Sequence, residues 1–480
     1  MSGVTSGRRH RSDQHRSGLH PAQGPVVVVG MGVTGCAVAT ALAARGHEVI
    51  AADDRPAEAT VRLAQTAAPK VAVHDAGDGE QMRSLLAGAA AVVPAPGVPP
   101  RHLCYTLAAQ AGLRVVSELD LAAQWDRRPL AAITGTNGKT TVTTLTERML
   151  NRSGITSLSA GNTDIALVEA IDRDVSTFVV EASSFRLHGA RSFAPRVAAW
   201  LNLAPDHLDW HGDLHDYAAS KARIWAAQGT DDVAVVPFGD REIAPWTAHV
   251  RSRRVTFPTP EQLEARCDVR YERGMLTAHG RRVVALAAMP RRRPHDLSNA
   301  AAATAVAWEM GASAEAIAAE LQAFDGLPHR LARAGSIGEV DFHDDSKSTA
   351  PHSTVAALRG FRDAVLIAGG RNKGLDLGDL AAIAGHVHAV VAIGEAADDV
   401  ADCFGQPGCG QVRVARAASM PEAVEIAYRM AQPHRAVVLS PGCASFDWYA
   451  NYRERGRHFS AAVADLAARL GTRRGDGAHR

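Results

Sequence analysis

Lysine is almost missing from this sequence: of 52 basic residues in 480, only Lys70, Lys139, Lys221, Lys347 and Lys373 are lysine. A chain that uses Arg for nearly every solvated positive charge keeps Lys where a guanidinium cannot serve, because only the amine can lose its proton. Chance retention accounts for Lys70, whereas the other four fall in segments singled out below on other grounds. Charge of one sign is lacking too. A formal net charge of +1 argues against nucleic acid or an anionic membrane held by bulk electrostatics, so any anion must be bound by local sites. Six cysteines (36, 104, 267, 403, 409 and 443) lie far apart without CxxC spacing, which excludes a disulfide scaffold and fits a reducing compartment. No apolar run approaches the roughly 20 residues needed to span a bilayer. A cytoplasmic location without a membrane span is therefore expected. Residues 1–24 are polar and have no apolar h-region, so they read as a disordered tail rather than a signal peptide.

What is present is ordinary globular material, 46% hydrophobic and 21% charged, enough for a sizeable core. The length suggests two to four compact units. Short apolar strands alternate with helical patterns, which implies α/β architecture with parallel sheets. Pro25–Gly30, Glu48–Ala52, Val71–Val73, Ala90–Val93 and Leu113–Val116 read as strands of a first unit, residues 25–117. A second, residues 118–326, has strands at Leu130–Thr134, Thr177–Val180, Val197–Leu201 and Val233–Val236. The third, residues 327–480, has them at Ala364–Ile367, Ala389–Ile393 and Ala436–Leu439. Three nucleotide-fold-like units in series are the expected architecture.

Gly30-Met-Gly32-Val-Thr34-Gly35 matches GxGxxG between a strand and a helix, with Asp53 about 20 residues on. Taken alone this suggests NAD, but the pattern specifies a diphosphate over a helix N-terminus and says nothing of nicotinamide. A second phosphate loop, Thr134-Gly135-Thr136-Asn137-Gly138-Lys139-Thr140-Thr141, also follows a strand and leads into a helix. Its amides can cradle ATP phosphates, Lys139 can reach the β/γ oxygens, and Thr140 can ligate Mg²⁺. It departs from the usual loop because Ile133 stands where the first glycine is expected. Two phosphate sites call for two phosphorylated ligands, which weakens a simple dehydrogenase reading.

Glu181 ends one strand, and Asp206, His207 and Asp209 follow the next. Acids at the carboxyl ends of α/β strands stand where ligands bind and can hold Mg²⁺. Lys221 lies in the helical pattern Tyr217–Ile224. It reads either as a solvated helix lysine or as a buried neutral amine that captures CO₂.

Together these segments resemble the Mur ligase family. TGTNGKTT, Gly161-Asn162, EASSF, LNLAPDHLDWHG, Tyr217–Ile224, His295–Asn299, GLPHR, DDSKST, GGRNKG and SPGCASFD fall in the family's order between about residues 25 and 470. The likeness is greatest to the D-glutamate-adding branch. It implies a Rossmann-like UDP-substrate domain, a central P-loop ATPase-type domain with a mostly parallel sheet, and a Rossmann-like C-terminal domain that receives glutamate. The resemblance assigns ATP to Gly135, Thr136, Asn137, Gly138, Lys139, Thr140, Thr141, Asn299, Arg330 and Asp345, with Arg330 near the phosphates and Asp345 near the ribose. Two Mg²⁺ sites would draw on Thr140, Glu181, His207 and a CO₂-derived carbamate on Lys221; Lys139, His207, Lys221 and Arg330 would serve catalysis. Gly32, Val33, Thr34, Asp53, Asp54, Arg55, Gly97 and Asn162 match the uridine-nucleotide region. Lys347, Thr349, Lys373, Ser445 and Tyr452 match positions around the incoming glutamate, whose two carboxylates suit cations and hydroxyls.

The reaction so implied is ATP-dependent ligation of D-glutamate to UDP-N-acetylmuramoyl-L-alanine through an acyl phosphate, in peptidoglycan synthesis and hence cell shape and division. A monomer is expected. An L-glutamate-adding variant or another Mur ligase is the nearest alternative; an NAD-dependent oxidoreductase or a nucleotide-sensing binding protein is an alternative of another class. Two departures from the family pattern stand out. Asp296 occupies a position where Asn is common, beside the adenine contacts, and Ala350-Pro351-His352 follows Thr349 where Thr-Asn is usual, which leaves glutamate stereochemistry open.

Overall fold

The computed structural model describes residues 19–476 except 55, 57–60, 62–70, 164, 407, 411 and 434, with side chains to residue 470. Two compact units emerge, one running to Arg127 and including Ala166–Arg173, the other comprising Arg128–Ile165 and Asp174 onward.

In the first unit, Val26–Val29 form a strand buried at every position. Four β-branched residues in a row suit a strand covered on both faces. It lies at the centre of a parallel sheet ordered Val73–Asp75, Val49–Asp53, Val26–Val29, Ala91–Pro94, Arg114–Val115. The strand order reverses beside Val26–Val29, the place where such sheets leave a crevice for a ligand. Two boundaries shift from expectation. Leu19, read as part of the tail, is buried, and its N–H donates to Gln124 Oε1 at 3.3 Å. Helix Glu118–Trp125, assigned above to the central domain, belongs to the first unit, where buried Glu118 Oε1 accepts from Val168 N at 3.1 Å.

The second unit holds two large sheets. One is wholly parallel, ordered Arg253–Phe257, Val233–Pro237, Val197–Trp200, Leu130–Thr134, Thr177–Glu181, Ser157–Gly161. Helices Lys139–Arg152 and Pro294–Glu309 pack on it, the latter through an almost unbroken run of buried alanines from Ala300 to Ala307. Small side chains let backbone approach backbone closely, so the run reads as a packing face. The other large sheet is mixed: hairpin Ala332–Ile337/Val340–Asp344 is antiparallel, and Val437–Gly442, Ala364–Gly369, Val387–Ile393 and Arg413–Ala417 continue in parallel.

The expected α/β class holds. A three-stranded meander, Val269–Glu272, Met275–Ala278 and Arg281–Ala285, escaped the sequence reading. Its turns, Arg273-Gly274 and His279-Gly280, have both residues at positive φ, the tight hairpin geometry that an X-Gly pair favours. All six cysteines are free and buried. Among the described residues no helix is long and apolar enough to cross a membrane.

Candidate active site

In the first unit Gly30 sits at φ 87° and Gly32 caps helix Val33–Ala44. A Cβ on Gly35 would collide with the Gly30 carbonyl, so the third glycine of the motif admits the helix against the loop. Met31 N–H donates to Asp53 Oδ2 at 2.8 Å, tying the loop to the acid that ends the second strand. Thr34 lies in the first helical turn, Val33 is 69% exposed, and nothing lies where a Cβ on Gly97 would stand. Asp54 pairs with His102 at 2.8 Å, a partner the sequence did not suggest. Arg55 lies outside the described residues. We expect Gly35→Ala to destabilise this unit by at least about 2 kcal/mol, since the obstruction is backbone rather than a yielding side chain. A two-probe urea melt would check it; coincident wild-type curves would rule the packing role out.

The second unit carries the phosphate loop. Gly138 adopts φ 84° at the N-terminus of helix Lys139–Arg152, and a Cβ there would strike Asn299 Oδ1. The loop is pinned from the neighbouring strand end. Asn137 N–H donates to Asn202 Oδ1 at 2.8 Å, Thr136 N–H to Asn202 O at 3.1 Å, and Thr136 Oγ1 to Ala204 O at 3.2 Å. Lys139 Nζ folds back onto the carbonyls of Gly135 and Thr136, both at 2.9 Å. Burial lowers its pKa, opposed by Glu181 and Asp206. Thr140 and Thr141 follow in the first helical turn.

Glu181 ends the adjacent strand and is buried. Its Oε1 accepts from Asn162 Nδ2 at 3.0 Å, while Oε2 has no hydrogen-bond partner among the described residues. A buried carboxylate oxygen left unsatisfied calls for a cation or a donor. His207, at φ 55°, rests its ring 4.7 Å from Phe185, and burial lowers its pKa. Its imidazole is therefore neutral with a lone pair available, the form that ligates metals. Burial also pushes the Asp206 carboxyl up, but His207, His352, Lys373 and Lys139 outweigh it and hold the pKa below the ordinary range.

Lys221 is 1% exposed; Nζ donates to Gly135 O at 2.8 Å and lies 4.2 Å from the Tyr217 ring. Burial first, and Lys139 second, drive its pKa far down. A solvated helix lysine is excluded.

Across from the loop, a cleft of about 520 Å³ is lined by Asn137, Gly138, Asn299, Arg330, Asp345 and Lys347, among others. Asp345 accepts from Ser348 Oγ at 2.6 Å and Ser440 Oγ at 2.8 Å, and burial pushes its pKa up to about 6. Arg330 sits between His329 and Leu331, both left-handed at φ 61° and 50°, a backbone that stores about 1–3 kcal/mol per residue. Ser353 Oγ donates to Asn137 Oδ1 at 2.8 Å, joining helix Pro351–Leu358 to the phosphate loop.

The expected glutamate positions lie on loops of the mixed sheet, except Tyr452, which opens helix Tyr452–Asp476. Lys347 Nζ is 3.9 Å from the Tyr452 ring, Ser445 is buried, and Thr349 is half-buried beside Ser348. The sequence reading missed Arg455, which is fully buried. Its guanidinium donates to Ser346 O, Cys443 O and Ala444 O at 2.9–3.2 Å, locking the loops that carry Lys347 and Ser445. Asn202 and Tyr217, which lie inside the recognised motifs without a signal of their own, also brace the phosphate loop: Tyr217 OH reaches Thr136 Oγ1 at 3.3 Å.

Comparison with known proteins covers nearly the same span. The family model of the Mur ligase middle domain matches residues 133–307, that of the MurD-like N-terminal domain residues 24–117, and that of the glutamate ligase domain residues 329–443. The UDP-N-acetylmuramoylalanine–D-glutamate ligase of Frankia casuarinae is 41% identical over 452 residues, covering 92% of this chain and 93% of its own. The enzyme of that name from Desulfosudis oleivorans is 38% identical, with coverage of 92% and 96%. Among solved structures, UDP-N-acetylmuramate-alanine ligase MurC of Thermotoga maritima matches with a TM-score of 0.57 at 17% identity, covering 92% of this chain and 100% of its own. MurF ligase of the same organism, in complex with ADP, gives 0.55 at 15% identity, with coverage of 93% and 96%. The two structures speak to fold alone.

Proposed function

The chain belongs to the Mur ligase family, and from that premise we propose that it joins D-glutamate to UDP-N-acetylmuramoyl-L-alanine in peptidoglycan synthesis, converting ATP to ADP and phosphate. The observation that carries the reading is the unpartnered buried oxygen of Glu181 beside a loop already folded for phosphate.

The γ-phosphoryl group passes from ATP to the terminal carboxylate of the muramoyl-alanine substrate: the bond to the ADP oxygen breaks and a carboxyl oxygen–phosphorus bond forms. The glutamate amine then attacks the acyl carbon, loses a proton and expels phosphate. Lys139 leaves its two loop carbonyls for the phosphate oxygens, and Arg330, which lines the same cleft, adds a second cation, so charge on the transferring group is offset by both. The amides of Gly135 to Thr141 cradle the phosphates, Asn299 backs the loop at Gly138, and Asp345 accepts from the ribose. Thr140, Glu181 and His207 would hold Mg²⁺, which when bound offsets phosphate charge. Lys221 is suited to add CO₂ at its neutral amine, with loss of one proton, and so to turn a cation into an anionic ligand for that metal. The UDP-substrate assignment keeps Gly32, Val33, Thr34, Asp53, Asp54, Arg55, Gly97 and Asn162, and glutamate falls to Lys347, Thr349, Lys373, Ser445 and Tyr452.

Phosphate release measured with ATP, Mg²⁺ and UDP-N-acetylmuramoyl-L-alanine should depend on D-glutamate and be far slower with L-glutamate, D-alanine or meso-diaminopimelate. Turnover only with an amino acid other than glutamate would defeat the assignment.

A further inference from the structure

Two arginines meet at the cleft and behave differently. Arg330 presents its side chain to the cleft wall, whereas Arg291 directs its donors at backbone and at one carboxylate. Arg291 Nη2 donates to Arg330 O and Nη1 to Leu331 O, each at 3.3 Å. Its Nε and Nη2 also donate to Asp296 Oδ1 at 3.1 and 2.9 Å. Burial opposes ionisation of Asp296, yet His295 and Arg291 hold its pKa at about 2, so the carboxylate is charged at neutral pH.

The carbonyls that Arg291 grips belong to the His329-Arg330-Leu331 arch. Two left-handed residues that are not glycine persist only where surroundings over-determine them. Here Leu331 N–H donates to Asp345 Oδ1 at 3.2 Å, His329 Nδ1 meets Asp344 Oδ2 at 2.7 Å, Arg330 N–H donates to Leu327 O and Lys347 N–H to His329 O at 3.2 Å, and Arg291 holds the carbonyls of Arg330 and Leu331. Gly326 makes room for it: at φ 122°, a Cβ there would lie 2.9 Å from Arg291 Nη1. Arg291 precedes helix Pro294–Glu309 and Asp296 lies in its first turn, so the pair ties the helix carrying Asn299 to the connector entering the mixed sheet.

We propose that Arg291, fixed by Asp296, is a positioning residue for phosphoryl transfer: it holds the 329–331 arch so that Arg330 enters the cleft at the phosphate end. The inference rests on the assignment of Arg330 to ATP phosphate made above. A planar fork is required, since one ammonium cannot span a carboxylate and two carbonyls.

The test is steady-state phosphate release by the full chain and its variants with UDP-N-acetylmuramoyl-L-alanine, ATP and D-glutamate. Arg291→Met should lower kcat roughly 10- to 100-fold, the scale of an ångström-sized misplacement, and leave KM for D-glutamate unchanged. Arg291→Lys should recover little. Asp296→Asn, whose amide oxygen still accepts, should fall between Arg291→Met and wild type. The deciding result is the double variant: Arg291→Met with Arg330→Met should be no slower than Arg330→Met alone, because the first acts through the second. Penalties that multiply, or wild-type kcat in Arg291→Met, overturn the proposal. If Arg291→Met does not fold, the same cycle with Asp296→Asn decides between additive and non-additive loss. A wild type that released no phosphate would defeat the functional reading instead. The arch would then be judged by amide exchange at Leu331, faster in Arg291→Met if the grip exists and unchanged if it does not.

Discussion

Lys221→Ala is expected to lose roughly 10²- to 10³-fold in kcat, the scale set by removing one preorganised charge from a transition-state site, and to recover part of it when acetate or formate is added. The argument begins with burial. An amine at 1% exposure, 2.8 Å from a neutral carbonyl and near the second cation Lys139, is poorly placed to stay protonated. Conversion to the proposed carbamate would turn this mismatch into a match, because an anion beside Lys139 and the proposed metal ligands would be favoured where a cation is not. A small carboxylate diffusing into the space left by the truncation would restore the charge. The same burial has a consequence for stability. Folding lowers the Lys221 pKa, so between its folded and unfolded values the unfolded chain binds more protons. Stability therefore rises with pH through that window and is lost as pH falls. Lys221→Met, which cannot titrate, should melt above the bicarbonate-free wild type at neutral pH while being inactive. A variant with wild-type turnover, or one that bicarbonate and acetate leave untouched, would remove the carbamate from the mechanism.

Parts of this site could be read from sequence because they are contiguous. TGTNGKTT is strand end, loop and helix start in one stretch, so its geometry is local and its residues announce it. Lys221 became visible through scarcity: with five lysines in the chain, its retention called for an explanation. Asn202, Arg291 and Arg455 gave no such signal. Each acts by donating to or accepting from backbone groups of a distant loop, and an arginine in a chain rich in arginine looks like any solvated charge until its donors are traced. Full burial, which marks Arg455 as structural, is a property of the fold and not of its neighbours in sequence. The placement of helix Glu118–Trp125 in the first compact unit was hidden for a related reason. A Pro-bearing polar stretch marks a loop, but which unit the preceding helix joins depends on Leu167–Ala170, some 50 residues further on. The meander at 269–285 was legible in its X-Gly turns and was passed over because α/β periodicity dominated the segments around it.

Lys139→Met should reduce turnover roughly 10³-fold or more, comparable to losing a cation that clamps the transferring phosphoryl group, and no carboxylate should rescue it. Lys139 Nζ rests 2.9 Å from two carbonyls of its own loop, contacts that a phosphate oxygen can replace without moving the backbone. The loop itself is held by Asn202 and Thr136 rather than by the lysine. Truncating the side chain to an apolar one of similar length should therefore leave the melting temperature near that of wild type while removing catalysis. Lys139→Arg should fare little better: Nζ of Lys221 already donates to the Gly135 carbonyl that Lys139 uses, and a planar fork is wider than an ammonium. Phosphate release and melting curves on the same preparations separate the two effects. A folded Lys139→Met enzyme that consumed ATP at the wild-type rate would place phosphoryl transfer somewhere other than this loop.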